Sequence, residues 1–404
     1  MKYKVPENLR ELGAIFSSHS YSLYLVGGAV RDYLLRRKND DYDLTTSALP
    51  GEVKAMFRRT IDTGIKHGTV TVIYRGAHYE ITTFRTEGDY SDSRHPDSVT
   101  FVRSLEEDLK RRDFTINALA VDVLTGGIID MHGGIEDIEK GIIRAIGEPE
   151  ERLKEDALRM MRACRFSSKL GFDIEERTLS AIKDLNETIG KVSVERIKEE
   201  LDKMLLSPYP VKGLGYMEET GLLAAVIPGL SLTDEIISAL GRAKEAFLPL
   251  PSLYAVLFSA TMPDRVYDIL TRLRSSNKEK DEVVHIIRSL GYDETKSTPY
   301  DARLFIRDNG KEIIPALFSV RRALKPFTED DEKFVNAVEN EMEKKSPTGV
   351  RDLAVTGEDL APIVPKGPGM GRMLNYLLEK VIENPELNTK EKLLAVAAEA
   401  NPCF

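Results

Sequence analysis

Apolar and polar residues alternate from Thr69 to Tyr74 and again from His78 to Phe84, with Arg75-Gly76-Ala77 between the two runs. Strand side chains point to opposite faces in turn, so this pattern predicts a β-hairpin with one face buried. The mostly apolar run Tyr21 to Val26 predicts a buried strand, and Ile116 to Val123 predicts another. From Glu148 onward the period changes. Apolar residues recur at helical spacing, as at Ala157, Met160, Met161, Cys164 and Leu170. Pro208-Tyr209-Pro210, Pro228-Gly229 and Pro249-Leu250-Pro251 then divide the chain into helices of ordinary length. The pattern reads as an α/β head followed by an all-helical remainder, with Lys344 to Arg351 as a linker before a last helical unit.

At 404 residues the chain exceeds one ordinary core and should form roughly two to four units. Hydrophobic residues make up 42% and charged residues 30%, with no apolar run approaching the ~18 residues of a membrane span. The opening stretch, MKYKVPENLRELGAIF, lacks the uninterrupted apolar core of a secretory signal. Two cysteines, Cys164 and Cys403, make neither a disulfide framework nor a zinc site, which predicts a reducing, cytoplasmic setting. A net charge of −9 argues against indiscriminate nucleic-acid binding but allows a nucleic-acid substrate, because affinity follows local patches. Basic patches stand at Arg36-Arg37-Lys38, at Lys110-Arg111-Arg112 and from Arg159 to Lys169.

The acidic pair of Asp41-Tyr42-Asp43 follows shortly after Gly27-Gly28-Ala29-Val30-Arg31-Asp32. In an extended backbone the two carboxylates share a face and can bridge two hard divalent cations, which would activate a hydroxyl and stabilise a departing pyrophosphate. Gly27-Gly28 leaves a triphosphate room to approach the backbone. A lone D-x-D is more often a solvated turn. Here strand, Gly-Gly turn, Arg and acidic pair follow in order, which makes nucleotidyl transfer the better reading. Glu80, in the second hairpin strand, is either a third carboxylate for the metals or an ordinary exposed strand residue. Arg112 and Asp113 can clamp phosphate oxygens or a ribose hydroxyl, or form a plain surface pair.

Further along, Asp156 and Arg159 sit at i and i+3 of a predicted helix, where acceptors beside donors suit the Watson–Crick edge of a base held outside a duplex. Arg162 and Arg165 could neutralise a triphosphate. Helical spacing, however, sets Asp156 and Arg165 about half a turn apart, against one shared face. The bland reading is a salt-bridged helix surface. Thr86 to Asp97 is rich in turn formers and predicts a mobile lid or an inert connection. The six histidines form no His-Asp doublet or H-x-x-x-H pair, and no G-x-x-x-x-G-K-[ST] occurs. Metal phosphohydrolases and P-loop enzymes are therefore not indicated.

Taken together, LVGGAVRDYLL with DDYDLTT, then YEITTFRTEGDYSD, KRRDFTINALAVD, EDALRMMRACRFSSKLGF and VSVERIKEELDKML run in order over residues 21 to 206. They resemble the motifs of the class II tRNA nucleotidyltransferase family, the bacterial CCA-adding enzymes and their poly(A) polymerase relatives. The stretch LAVTGEDLAPIVPKGPGMGRMLNYLLEKVIENPELNTKEKLL is similar to the family's tail, whereas residues 230 to 345 match little beyond helical pattern. The resemblance implies an α/β nucleotidyltransferase head with a mixed sheet (1–147), followed by all-helical neck (148–208), body (209–345) and tail (346–404) domains. It implies that Asp41 and Asp43 hold two Mg2+ ions, with Glu80 as a candidate third carboxylate. Gly28 and Arg31 would contact the triphosphate, and Arg112 with Asp113 the sugar. Asp156 and Arg159 would read the base as a protein template, supported by Arg162 and Arg165. The tRNA 3′-hydroxyl would attack the α-phosphate of CTP or ATP and release pyrophosphate. One departure is Asp40, where the family usually has a small or neutral residue.

Three activities share these motifs: addition of all of CCA, of CC alone, or of the terminal A alone. A loop of full length at Thr86 to Asp97 argues against CC-only addition. The acidic chain, ending LLAVAAEANPCF, argues against a poly(A) polymerase, which would carry a basic extension. The expectation is full CCA addition, with A-only addition as the alternative. An RNA-binding protein that kept the fold without the chemistry is the reading from another class. In the tail, Lys366-Gly367-Pro368-Gly369-Met370-Gly371 either meets an RNA phosphate or caps a helix.

Overall fold

A computed structural model describes residues 2–39, 41–87, 99–365 and 367–400 of the chain. The expectations placed on Asp40, on loop residues 88–97, on Lys366 and on Cys403 lie outside the described residues. The strands in chain order are β1 (Leu23–Val26), β2 (Asp43–Thr46), β3 (Thr60–Gly64), β4 (Thr69–Tyr74), β5 (Ala77–Thr83), β6 (Arg85–Glu87), β7 (Val99–Phe101), β8 (Leu119–Asp122), β9 (Ile128–Asp130), β10 (Ile142–Ile143) and β11 (Asp173–Ile174). Seven of them form one mixed sheet in the order β3-β4-β5-β2-β1-β8-β9. The hairpin β4–β5 is antiparallel, as its alternation predicts: Tyr79, Ile81 and Thr83 are buried while His78 and Glu80 are exposed. Arg75 and Gly76 turn it with φ of 49° and 80°, the left-handed pair that a two-residue hairpin loop requires.

Register positions the functional end of the sheet. Val26 of β1 faces Asp43 of β2 in an antiparallel pair, and Asp43 faces Glu80 of β5 in a parallel one. The start of the Gly27-Gly28 turn, Asp43 and Glu80 therefore form one row across three neighbouring strands. The strand expected from Ile116 begins later than the apolar run suggests. Thr115–Asn117 is a 3-10 turn and β8 starts at Leu119. The cause is local: the Asn117 amide donates to the Phe114 carbonyl, and its side chain to Asp113 at 3.1 Å, which curls the chain before it can pair.

By contact the chain divides into two compact units. The first runs to Leu232 and takes in Arg272–Arg274; the second comprises Thr233–Thr271 and the chain from Ser275 onward. In the first, the Leu158–Leu170 helix buries Met160, Met161, Ala163 and Cys164 and packs on the Val194–Leu206 and Pro210–Glu219 helices. Gly213 permits the close approach. A Cβ there would lie 2.4 Å from the Cys164 carbonyl oxygen and 2.0 Å from Ser168 Oγ. Cys164 is a small core residue, as its place in the helical pattern predicts, and burial pushes its thiol up to about 12. One strand of the expected helical part, β11, pairs in parallel with β10 of the head over two residues.

Among the described residues the second unit contains helices and no strand. One of its cores is aromatic: Tyr292 stacks on Phe334 at 4.6 Å between centroids and Phe305 on Phe318 at 5.8 Å. Phe318 and Phe334 are buried and Tyr292 and Phe305 partly buried; full burial of such a ring stabilises by roughly 1.5–3 kcal/mol. A second core gathers Leu360, Met373, Leu377, Val381 and Leu393. No described helix is long and apolar enough to cross a membrane.

Candidate active site

The Gly27-Gly28 turn is the floor of the site. Gly27 takes φ 71°, a conformation that glycine adopts without a side-chain clash. A Cβ on Gly27 would lie 3.6 Å from an Arg112 Nη atom and 3.9 Å from an Asp43 carboxylate oxygen. The bare backbone thus separates a guanidinium from a carboxylate. Asp43 is pushed above the ordinary carboxylate range, first by the protein around it and then by the Asp41 charge; Arg112 works against the shift and Glu80 adds to it. More negative charge gathers here than one arginine offsets, a setting that favours a cation. Among the described residues no three His, Cys, Asp or Glu side chains form a metal cluster, so Glu80 stands beside Asp43 without completing a three-donor set. Mg2+ needs only one or two carboxylates where water and substrate phosphates complete its shell.

The arginines around this floor are held by buried carboxylates. Asp108, fully buried, accepts from Arg111 Nε and Nη at 3.0 and 2.8 Å and from an Arg112 Nη at 3.1 Å. Its burial would raise its pKa, but the two guanidiniums carry it below the usual range. Arg112 Nε is buried and has no hydrogen-bond partner among the described residues. Asp113 accepts from the Phe114 amide at 2.8 Å, from Asn117 at 3.1 Å and from Arg162 Nε and Nη at 2.8 and 2.6 Å. Burial opposes ionisation of Asp113, yet Arg162, Asn117 and the Phe114 amide bring its carboxyl down to about 2. Arg31 donates to Asp32 at 2.9 and 2.7 Å and to Asn117 at 2.6 Å. The guanidiniums of Arg31, Arg162 and Arg165 lie 5.2, 5.4 and 4.1 Å from the Phe166 ring centre.

The helix predicted through Asp156 is broken there. One helix spans Pro149–Glu155, the next Leu158–Leu170, and Asp156 is extended with φ −142° and ψ 103°. Its carboxylate accepts from the Leu158 amide at 3.0 Å and from Arg196 at 2.8 Å. A short acceptor bonding two residues ahead competes with the helical ladder and restarts it, as an N-cap does. The break also removes the half-turn objection to a shared site. Asp156, Arg159, Arg162 and Arg165 all line one cavity of about 780 Å3, within the range of small-molecule sites. Arg159 is held by Glu155, by the Arg152 carbonyl at 2.8 Å and by the Arg111 carbonyl at 3.2 Å.

Gly28, Arg31, Asp43, Glu80, Arg112 and Asp113 line the same cavity. Of the residues singled out from the sequence, Asp41 alone is absent from its lining; it is exposed beside β2 and acts on Asp43 through charge. Sequence reasoning passed over Asp108, Asn117, Phe166, Arg196 and Glu200, and marked Lys169 only as the end of a basic patch. Asn117 had a signal, its place four residues after Asp113. Glu200, buried and bonded to Arg165, lies in VSVERIKEELDKML with Arg196, a motif whose charges needed partners.

Comparison with known proteins adds to this geometry. Residues 23–144 match the poly A polymerase head domain, residues 171–233 the "Probable RNA and SrmB-binding site of polymerase A", and residues 252–397 the tRNA nucleotidyltransferase domain 2. The CCA-adding enzyme of Lactobacillus helveticus is 47% identical over 70% of this chain and 71% of its own. That of Lactiplantibacillus plantarum is 40% identical over 93% of this chain and 92% of its own. Among solved structures, the Bacillus stearothermophilus CCA-adding enzyme in complex with CTP superposes with a TM-score of 0.83 at 36% identity, covering 98% of both chains.

Proposed function

The chain belongs to the tRNA nucleotidyltransferase family of CCA-adding enzymes, and from that premise we propose that it builds C-C-A on the 3′ end of tRNA from CTP and ATP without a nucleic-acid template. The primer 3′-hydroxyl oxygen bonds to the α-phosphorus in line while the bond to the pyrophosphate oxygen breaks. Asp41 and Asp43 are the residues to hold two Mg2+ ions, and the excess negative charge around Asp43 supports that fit. A divalent pair held there would supply the charge that makes the hydroxyl a better nucleophile and offsets charge developing on the leaving pyrophosphate. Glu80 adds to the same negative field from the neighbouring strand.

Gly28 and Arg31 receive the triphosphate, and Arg112, which lines the cavity, the sugar and phosphate. Asp113 serves that role indirectly, since its two oxygens are occupied by Phe114, Asn117 and Arg162. Asp156 and Arg159 read the base. A guanidinium has five N–H donors, and the bonds of Arg159 to Arg152, Glu155 and Arg111 leave two for a base edge. Arg162 and Arg165 support the nucleotide from the Phe166 wall. The same reading divides the chain into head (1–147), neck (148–208), body (209–345) and tail (346–404), the last contacting tRNA, and places it in a reducing cytoplasm.

The observation that carries the proposal is that an acidic row, a cationic wall and a base-reading pair face one cavity. Asp43→Asn tests it. The variant should bind tRNA as the parent does and lose nucleotide incorporation by at least ~100-fold, as expected when transition-state charge stabilisation is removed. Unchanged incorporation would leave the chain a binding protein with the family's fold.

A further inference from the structure

We propose that Lys169 grips the terminal phosphate of the incoming nucleoside triphosphate, so that the cavity distinguishes triphosphate from diphosphate at this end. The inference rests on the reaction proposed above, which fixes the α-phosphate beside Asp43. From there the floor runs over Gly27, whose absent Cβ would meet Arg112 and Asp43, to Gly28, whose absent Cβ would meet an Arg31 Nη atom at 3.5 Å and Asn39 Nδ2 at 3.9 Å. The proposed reaction gives the β- and γ-phosphates to Arg31, and Lys169, within electrostatic reach of Arg31, lines the same cavity.

Charge at this end is out of balance. Five cations, Arg31, Arg37, Arg162, Arg165 and Lys169, stand with three carboxylates, Asp32, Asp113 and Glu200. Each carboxylate is already engaged by a guanidinium: Asp32 by Arg31, Asp113 by Arg162, Glu200 by Arg165. Asn39 takes the remaining oxygen of Asp32 at 3.0 Å. Lys169 Nζ is left 3.9 Å from that oxygen, too far for a hydrogen bond, with its side chain 42% exposed. Burial and the nearby charges of Arg31, Arg165 and Arg37 lower its pKa, opposed by Asp32. An ammonium in a cationic wall whose nearest carboxylate, Asp32, stands at 3.9 Å and is hydrogen-bonded to others is suited to a dianionic phosphate, and its flexible stem lets it follow one.

The test compares CTP with CDP. Each is titrated calorimetrically into the whole enzyme with Mg2+, for the parent, Lys169→Met and Lys169→Arg, alongside KM and kcat for CTP on tRNA. A lost charge-assisted hydrogen bond predicts roughly tenfold weaker CTP binding for Lys169→Met, unaltered CDP binding and a loss that falls on KM. Lys169→Arg should restore CTP binding. Equal weakening toward CTP and CDP, or no weakening toward either, would overturn the inference while the parent's incorporation stands. A parent that neither binds CTP nor extends tRNA would overturn the underlying reaction, and this inference with it.

Discussion

Asp113→Asn removes one charge from a carboxylate with 8% side-chain exposure and leaves the shape nearly unchanged. The Phe114 amide and Asn117 can still find the retained carbonyl oxygen, but Arg162 loses its two bonds of 2.8 and 2.6 Å and keeps only a 3.9 Å approach to Glu200. The folded carboxyl at about 2, against an ordinary 3.8, sets one scale: close to two pKa units at ~1.4 kcal/mol each, or roughly 2–3 kcal/mol. Breaking a fully buried pair costs about 3–5 kcal/mol, an upper bound here because Arg162 keeps 33% side-chain exposure. The expected destabilisation is therefore ~2–3 kcal/mol at neutral pH. Its sign with pH follows from the depressed value. The contribution is complete above the unfolded carboxyl's pKa of about 4 and is lost as pH falls toward about 2, so parent and variant should converge on acidification. The chain has no tryptophan and two compact units, so hydrogen exchange read by mass spectrometry over residues 111–120 and 158–170 gives the local stability that a global melt would blur. Adding Arg162→Met closes a double-mutant cycle, with coupling expected above ~1 kcal/mol. A difference below ~0.5 kcal/mol, a gap that widens on acidification, or coupling near zero would refute the reasoning.

Arg159→Ala should raise misincorporation of UTP and GTP by roughly 5- to 150-fold, the range of one lost polar contact of ~1–3 kcal/mol; nucleotide choice identical to the parent's would contradict base reading by this side chain. Asp108→Ala should cost about 3 kcal/mol or more in local exchange stability and raise KM for CTP, because two arginines lose a common buried acceptor. If KM holds, Arg111 and Arg112 are positioned by something else. In a Cys403→Ser background, Cys164 should resist a thiol reagent at pH 8 until urea unfolds the first unit, given its burial and a thiol pushed up to about 12. Native-state labelling at the rate of a free thiol would show that the helix opens locally.

Short-range pattern carried the head well. Alternation from Thr69 to Phe84 reported the hairpin because one face of that ribbon is buried, and Asp43 lands beside Glu80 through a register the pattern does not encode. What was illegible depended on side chains bonding their own backbone. Asp156 restarts a helix that i, i+3 spacing runs straight through, and Asn117 curls the start of an expected strand. Both use a short polar side chain against the ladder, a competition no periodicity records. The sequence motifs marked most of the cavity's lining. They did not mark its supports, because Glu200 is 35 residues from the Arg165 it holds and the burial of Asp108 and Glu200 is a property of the packed fold.

The most direct measurement of the central claim is incorporation of labelled CTP and ATP, with Mg2+, into three tRNA transcripts ending at the discriminator base, after CC, and after complete CCA. Growth by three nucleotides is expected on the first, by one A on the second and none on the third. Extension of the second alone would make this an A-adding enzyme, and no incorporation on any transcript would contradict the account outright.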